Sequence, residues 1–200
     1  MPLNILQWNC QSVWKKRPEL EIKSRDYDII LLSETWLEPQ TRWLFRNFDI
    51  RADRTDRPGG SVAVLVRNGV RYRSLNKSHF YNANGAVEIC GIEISVKSRK
   101  YLILSIYKPP QASLSLLEWQ QFFSQFDGNF FIGGDFNAHN TAWGSQYTCP
   151  AGQKILETCL NLDLHILNDG SCTRFGTIRN RPLTYPLQTV LRLCPPIGRP

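Results

Sequence analysis

The chain has 200 residues, 42% hydrophobic and 12% aromatic, enough for one packed domain and too apolar for a disordered polyelectrolyte. Its net charge of +7 is concentrated at one end, because residues 170–200 hold five Arg and no acid, which leaves only +2 for residues 1–169. The longest apolar runs fall far short of the roughly 20 residues of a membrane helix, the N-terminus has no basic segment followed by a long apolar one, and six cysteines lie scattered without a C-x-x-C pair, so we expect an intracellular chain with reduced thiols, no membrane span and no zinc.

Residues 3–8 alternate apolar and polar side chains and read as a strand, followed by a short polar helical stretch over 16–24 with Pro18 near its start. Residues 28–33 form a buried-strand candidate. Residues 51–60, RADRTDRPGG, read as a charged loop whose Arg51, Arg54 and Arg57 are neutralised by Asp49, Asp53 and Asp56. Strands are expected over 61–66, 86–96, 100–107 and 129–133, and helices over 112–126 and 152–162, with a short strand at 165–167. Many strands with few helices imply an α+β chain of two sheets covered by helices. Beyond Arg174 neither period persists, so the domain is read as residues 1–175 and residues 176–200 as an irregular, divergent tail.

Four apolar runs end in residues suited to metal or phosphate chemistry. They lead into Asn9, Glu34, Tyr107 and Asp135, with Asn137 two positions later. Strand ends hold side chains rigidly while the following loops leave them accessible. Glu34 offers hard oxygen for Mg²⁺, Asn9 an amide, Asp135 a proton acceptor or metal ligand, Asn137 an amide for a phosphate oxygen and Tyr107 a phenolic donor. Singly, each is as well explained by a strand end or a helix cap. Together, with Gly133 and Gly134 before Asp135 to let backbone approach a ligand, they indicate a metal-phosphate site. Arg67, Arg71 and Arg73, with no acid interleaved, are the candidates for nucleic-acid backbone contact. His139 is read as local packing or capping, with phosphate contact as the alternative, and Trp36, Trp43 and Trp143 as core.

The segments Gln7-Trp8-Asn9-Cys10-Gln11-Ser12, Leu32-Ser33-Glu34-Thr35-Trp36-Leu37, Ser105-Ile106-Tyr107-Lys108-Pro109-Pro110 and Gly133-Gly134-Asp135-Phe136-Asn137-Ala138-His139, in this order and spacing, resemble the endonuclease/exonuclease/phosphatase superfamily. Within it they are most similar to the apurinic-like endonuclease domain of non-LTR, jockey-like retrotransposons. The resemblance covers roughly residues 3–175. It implies a DNase I-like, four-layer αββα sandwich of two mixed sheets and an enzyme that nicks DNA by Mg²⁺-dependent (or Mn²⁺-dependent) phosphodiester hydrolysis. The partners implied are DNA and, in the intact element, a reverse transcriptase domain, with action in the nucleus. By the same resemblance Glu34 and Asn9 belong to the metal site, Asp135 orients or activates the attacking water, Asn137 contacts the phosphate and Tyr107 donates to developing negative charge. One departure stands out: the family closes with a strand carrying another Asp and a Ser-Asp-His motif, and this chain has no Asp, Glu or His after Asp169. The expectation is therefore a truncated or frameshifted domain that lacks its last strands and is destabilised and weakly active. The alternatives are a catalytically dead remnant with at most DNA binding, and a phosphatase-type member of the superfamily.

Overall fold

In the computed structural model the described residues are 3–53, 59–168 and 170, together with the backbones of three short strands in the C-terminal segment. The first sheet and its covering helix come from the N-terminal part of the chain: β1 (Ile5–Asn9), α1 (Arg17–Lys23), β2 (Ile29–Ser33), β3 (Phe48–Asp53) and β4 (Val62–Arg67), with strand order β1-β2-β4-β3. β1 and β2 run parallel, and the other neighbours are antiparallel.

The second sheet is built from β5 (Tyr72–Ser74), β6 (Glu88–Val96), β7 (Arg99–Tyr107), β8 (Asn129–Asp135) and β9 (His165–Ile166), with helices α2 (Leu116–Ser124) and α3 (Pro150–Asn161) on its outer side. β10 (Gly176–Ile178) and β11 (Arg181–Leu183) form a separate antiparallel pair, and β12 (Val190–Cys194) inserts between β8 and β9, giving the order β5-β6-β7-β8-β12-β9. β7 and β8 are its parallel pair.

Three apolar layers separate four layers of structure. Ile29, Leu31, Val64, Val66, Ile92, Ile94 and Ile103 fill the space between the sheets. Leu20, Leu37, Trp43 and Phe45 cover the outer face of the first sheet, and the aromatic cluster of Trp119, Phe122, Phe123, Phe126, Phe130 and Phe136 joins α2 to the second. This is the αββα sandwich of two mixed sheets. α2 starts where its sequence says it should: Ser115 and Glu118 form a reciprocal capping box.

Two expectations change. Arg51, read as the start of a loop, lies in β3, where Phe48, Ile50 and Ala52 alternate with the exposed Asp49 and Arg51; the dense charge of 51–57 masked that alternation. Residues 54–58 and 171–175 lie outside the described residues. The segment 176–200, expected to be irregular, contributes three short strands, and β12 pairs with β8 from Val190↔Asp135 to Leu193↔Ile132. Its five-residue period-2 signal is too short to stand out against the surrounding Pro and Arg. Among the described residues no helix is long and apolar enough to cross a membrane, and Cys10, Cys90, Cys149 and Cys159 are free thiols.

Candidate active site

Both parallel pairs end at the same edge of the sandwich. In the first sheet Asn9 closes β1 opposite Ser33, and Glu34 follows; in the second, Tyr107 and Asp135 close β7 and β8 opposite one another. Two parallel pairs thus deliver four chemically competent side chains to one place. A single nitrogen ties them together: Asn9 Nδ2 donates to Glu34 Oε1 at 2.8 Å and to Asp135 Oδ2 at 2.6 Å, joining the sheets. Its orientation follows from its oxygen, which accepts from the Gln11 main-chain N–H at 3.3 Å.

Asp135 is fully buried. Its Oδ1 accepts from the Asn137 N–H at 2.9 Å, and its carbonyl accepts from the Lys108 N–H at 2.9 Å. Burial pushes its carboxyl up to about 6, against the pull of the Asn137 and Asn9 hydrogen bonds. Asn137 donates its side-chain amide to the Lys108 carbonyl at 2.9 Å and is hydrogen-bonded to Tyr107. Burial, then the charges of Glu34 and Asp135, hold the Tyr107 phenol well above its ordinary range, so it remains a hydrogen-bond donor. Lys108 is buried, its ammonium donating to the carbonyls of Pro109 and Ala112 at 3.0 Å each, and burial pulls it below its ordinary range.

The backbone around these groups is strained. Gln11, Ser12, Glu34, Trp36 and Asn137 all have φ between 44° and 96°, the left-handed region that side chains with a Cβ avoid at a cost of order 1–3 kcal/mol each. The strain is held by hydrogen bonds that continue the β1–β2 pairing past the strands, from Ser12 N–H to Glu34 O and from Val13 N–H to Thr35 O. Thr35 and Trp36 donate in turn to the carbonyls of Ser61 and Gly60, while Ser61 N–H donates to the buried carboxylate of Glu88, which lies opposite Tyr107. Glu88 and Lys108 were not singled out from the sequence: Glu88 falls inside the expected strand 86–96, and Lys108 reads as the start of the loop after Tyr107.

The cluster fits a hard divalent cation. Glu34 and Asp135 bring two carboxylates to one place, where they share the Asn9 amide nitrogen, and carboxylate oxygen is the donor type that hard divalent cations take. Among the described residues no three His, Cys, Asp or Glu side chains form a cage. Mg²⁺ commonly takes one or two carboxylates and fills its remaining positions with water and phosphate oxygens.

Other sequence-derived candidates lie elsewhere. Arg67 ends β4 at the opposite end of the sandwich. Its guanidinium donates to the carbonyls of Ser24, Arg25 and Tyr27 at 2.6–3.1 Å, sits 3.6 Å from Asp28 and stacks over Phe48 at 5.0 Å. Arg73 pairs with Glu93 at 3.0 Å, in a strand row aligned with Leu102 and Phe130, five residues from Tyr107 and Asp135. Arg71 is exposed immediately before β5. Arg67 and Arg73 thus stand away from the strand ends that carry Asn9, Glu34, Tyr107 and Asp135, and a nucleic-acid contact through them would be made outside this cluster. His139 contacts Tyr147 at a ring separation of 4.8 Å, and its Nδ1 is buried without a hydrogen-bond partner. Its main-chain N–H donates to Cys149 Sγ at the start of α3.

Trp43 and Trp143 are core, but Trp36 is 39% exposed beside Glu34, with the Lys15 ammonium 5.4 Å from its ring centre. The glycines before Asp135 serve packing rather than a ligand: a Cβ on Gly134 would collide with the Ile106 main chain, and one on Gly133 would meet Gln7 Cγ at 3.0 Å.

Comparison with known proteins gives this arrangement a family. The family model described as "Endonuclease/Exonuclease/phosphatase family" matches residues 6–190. The chain is 28% identical over 182 residues to "Probable RNA-directed DNA polymerase from transposon X-element" and 23% identical over 183 residues to the corresponding protein of transposon BS, both from Drosophila melanogaster; it spans 19% of the length of each. Among solved structures, the endonuclease domain of TRAS1, a telomere-specific non-LTR retrotransposon, superposes with a TM-score of 0.74 at 20% identity, covering 98% of this chain and 86% of that one. The NExo 3′-5′ exonuclease from Neisseria meningitidis superposes at 0.65 and 14% identity, covering 97% of this chain and 87% of that one. With the family model matched across nearly the whole chain, this chain belongs to the endonuclease/exonuclease/phosphatase family.

Proposed function

We propose that the chain is a metal-dependent DNA endonuclease that nicks target DNA for retrotransposition. The observation that carries this reading is the junction of Asn9, Glu34, Tyr107, Asp135 and Asn137 from two sheets at one edge. Hydrolysis of a phosphodiester needs a positioned water, an acceptor for its proton and stabilisation of charge on the non-bridging oxygens. Asp135 is the acceptor, held immobile by two hydrogen bonds. Tyr107, kept protonated, and the amide of Asn137 donate to the phosphoryl oxygens. Glu34 and the Asn9 oxygen would hold Mg²⁺, or Mn²⁺, which supplies Lewis-acid stabilisation of the phosphate charge. Asn9 fixes the separation between metal ligand and base. The exposed Trp36 and Lys15 beside Glu34 offer an aromatic face and a positive charge to DNA flanking the scissile phosphate.

Residues 170–200 contain no Asp, Glu or His, so they supply no histidine to work beside Asp135, and residues 1–200 alone should nick more slowly, by about 10²- to 10⁴-fold, than a domain with such a general acid/base. The polymerase relatives support a place for the domain beside a reverse transcriptase, and its DNA substrate would put its action in the nucleus. The test is nicking of supercoiled plasmid by the purified chain in Mg²⁺, set against EDTA and against Glu34→Ala and Asp135→Ala. Metal-dependent nicking lost in both variants supports the reading. A folded chain that nicks equally in EDTA, or not at all, overturns it in favour of a catalytically dead remnant.

A further inference from the structure

The inward-facing rows of the four central strands change character along their length. On β2 the row is Ile29, Leu31, Ser33; on β7 it is Tyr101, Ile103, Ser105, Tyr107; on β8 it is Phe131, Gly133, Asp135; on β1 it is Ile5, Gln7, Asn9. Large aliphatic and aromatic side chains separate the sheets at the far end, and small or polar ones occupy the layer directly beneath the site. Ser33 and Ser105 are both fully buried. The Ser33 hydroxyl donates to the Ile106 carbonyl and the Ser105 hydroxyl to the Leu32 carbonyl, each at 2.9 Å. Each serine thus bonds the main chain beside the other, across the gap between sheets.

Facing sheets ordinarily lie about 10 Å apart. A serine hydroxyl reaches so little beyond its own backbone that a 2.9 Å bond to an opposing carbonyl brings the two main chains to within about 5 Å. The sandwich is a wedge, closed at the active end. Glu34 follows Ser33, and Tyr107 follows Ile106, so both site residues leave the closed edge directly. We infer that Ser33 and Ser105 are positioning residues whose reciprocal hydroxyl bridges close the sheets and thereby set the spacing of Glu34 from Tyr107 and Asp135. This rests on the metal-site reading proposed above. The side chains touch no substrate, so they act through the groups they place. Displacement on the order of 1 Å in such a constellation costs about a hundredfold in rate.

The experiment compares Ser33→Ala, Ser105→Ala, the double variant and Ile94→Val in the full chain. Ile94→Val trims the apolar layer at the wide end and serves as a stability control. Mn²⁺ affinity is read by electron paramagnetic resonance, and plasmid nicking is separated into kcat and KM. Each serine variant should weaken Mn²⁺ binding about 5- to 20-fold and lower kcat about 10- to 100-fold, with KM for DNA changed less than threefold. Because both bridges close one gap, the double variant should lose little more than either single one. Ile94→Val should lower Tm without changing Mn²⁺ affinity. Serine variants that bind Mn²⁺ and turn over within twofold of the native chain, or that lose function only in step with Tm as Ile94→Val does, overturn the inference alone. A native chain that binds no Mn²⁺ overturns the metal reading and this inference with it.

Discussion

The two ends of this sandwich are built on opposite principles. At the far end, Ile29, Val66, Ile92 and Ile94 fill the inter-sheet layer, and Arg67 ties three carbonyls and Asp28 to the first sheet. At the active end a carboxylate is buried, five residues have strained backbone, and the Gln7 amide is buried with neither of its polar atoms hydrogen-bonded. The difference shows where stability is stored and where it is drawn down. A regular, apolar end over-determines the fold, and the surplus holds the active end in a conformation it would not adopt alone.

The largest effect expected on this contrast comes from filling the space beneath Asp135. A Cβ at Gly134 would collide with the Ile106 backbone, which belongs to a β-ladder and cannot yield as a side chain would. Gly134→Ala should destabilise the chain by about 3 kcal/mol or more, read as a fall of Tm by roughly 10 °C in thermal unfolding. Gly128→Ala meets no atom within 4 Å, and although its φ of 73° adds strain, the loss should be about 1–2 kcal/mol. Equal losses at the two glycines would show that the closed edge can open, and the contrast between the ends would fail.

Next in size is Asp135 itself. Its carboxyl is raised from 3.8 to about 6 by burial, so the folded chain binds the proton more tightly than the unfolded one. The stability linked to this group is therefore full below about pH 4 and is lost as the pH rises through about 6. In EDTA, Asp135→Asn should stabilise the chain by about 1–2 kcal/mol at pH 7, less than the pKa displacement alone implies because the Asn9 donor loses its acceptor. The gain should vanish near pH 4. Nicking should be lost at every pH. A variant whose Tm advantage does not grow between pH 4 and pH 6 would mean that Asp135 is hydrated, and the active end would cease to be the destabilised one.

Much of this was legible in the chain. The strand rows could be read by stepping two residues at a time from Ile5, Ile29, Ile103 and Phe131, and those steps lead to Asn9, Ser33, Tyr107 and Asp135. What was not legible depends on tertiary geometry. No local pattern says that β1–β2 and β7–β8 are both parallel, which is what brings four strand ends to one edge. Glu88 falls inside an expected strand and Lys108 in the loop after Tyr107, and the roles of both come from tertiary hydrogen bonds. Freedom from interleaved acids marked Arg67, Arg71 and Arg73 as candidates for nucleic-acid contact but could not reveal that Arg67 and Arg73 stand away from the Asn9–Asp135 cluster. Trp36 was read as core because aromatic residues usually are, and only its left-handed backbone turns it outward.

Arg67→Ala tests the far end. Removing a guanidinium bonded to the carbonyls of Ser24, Arg25 and Tyr27 should cost about 1–2 kcal/mol of stability. Plasmid nicking at a temperature where the variant is folded should be unchanged. A loss of DNA affinity together with a reduced salt dependence of binding would restore Arg67 as a phosphate contact and extend the nucleic-acid surface to the far end.

The smallest expected change in stability separates the ends most finely. Trp36 is 39% exposed, and the Lys15 ammonium packs over its ring. Trp36→Ala should alter stability by no more than about 1 kcal/mol, because the indole leaves no core cavity, and its left-handed φ of 55° is no worse for alanine. DNA binding, measured by fluorescence anisotropy with a labelled duplex in EDTA so that no cleavage intervenes, should weaken about 5- to 20-fold, in keeping with roughly 1–3 kcal/mol for a base stacked on an aromatic ring. Trp36→Phe should retain most of the affinity, since it keeps a flat π-face, whereas Lys15→Ala should weaken binding modestly and lower its salt dependence by about one phosphate. If Trp36→Ala leaves binding unchanged while lowering Tm by several degrees, the indole belongs to the scaffold, and the strained backbone at residue 36 serves only to aim Glu34.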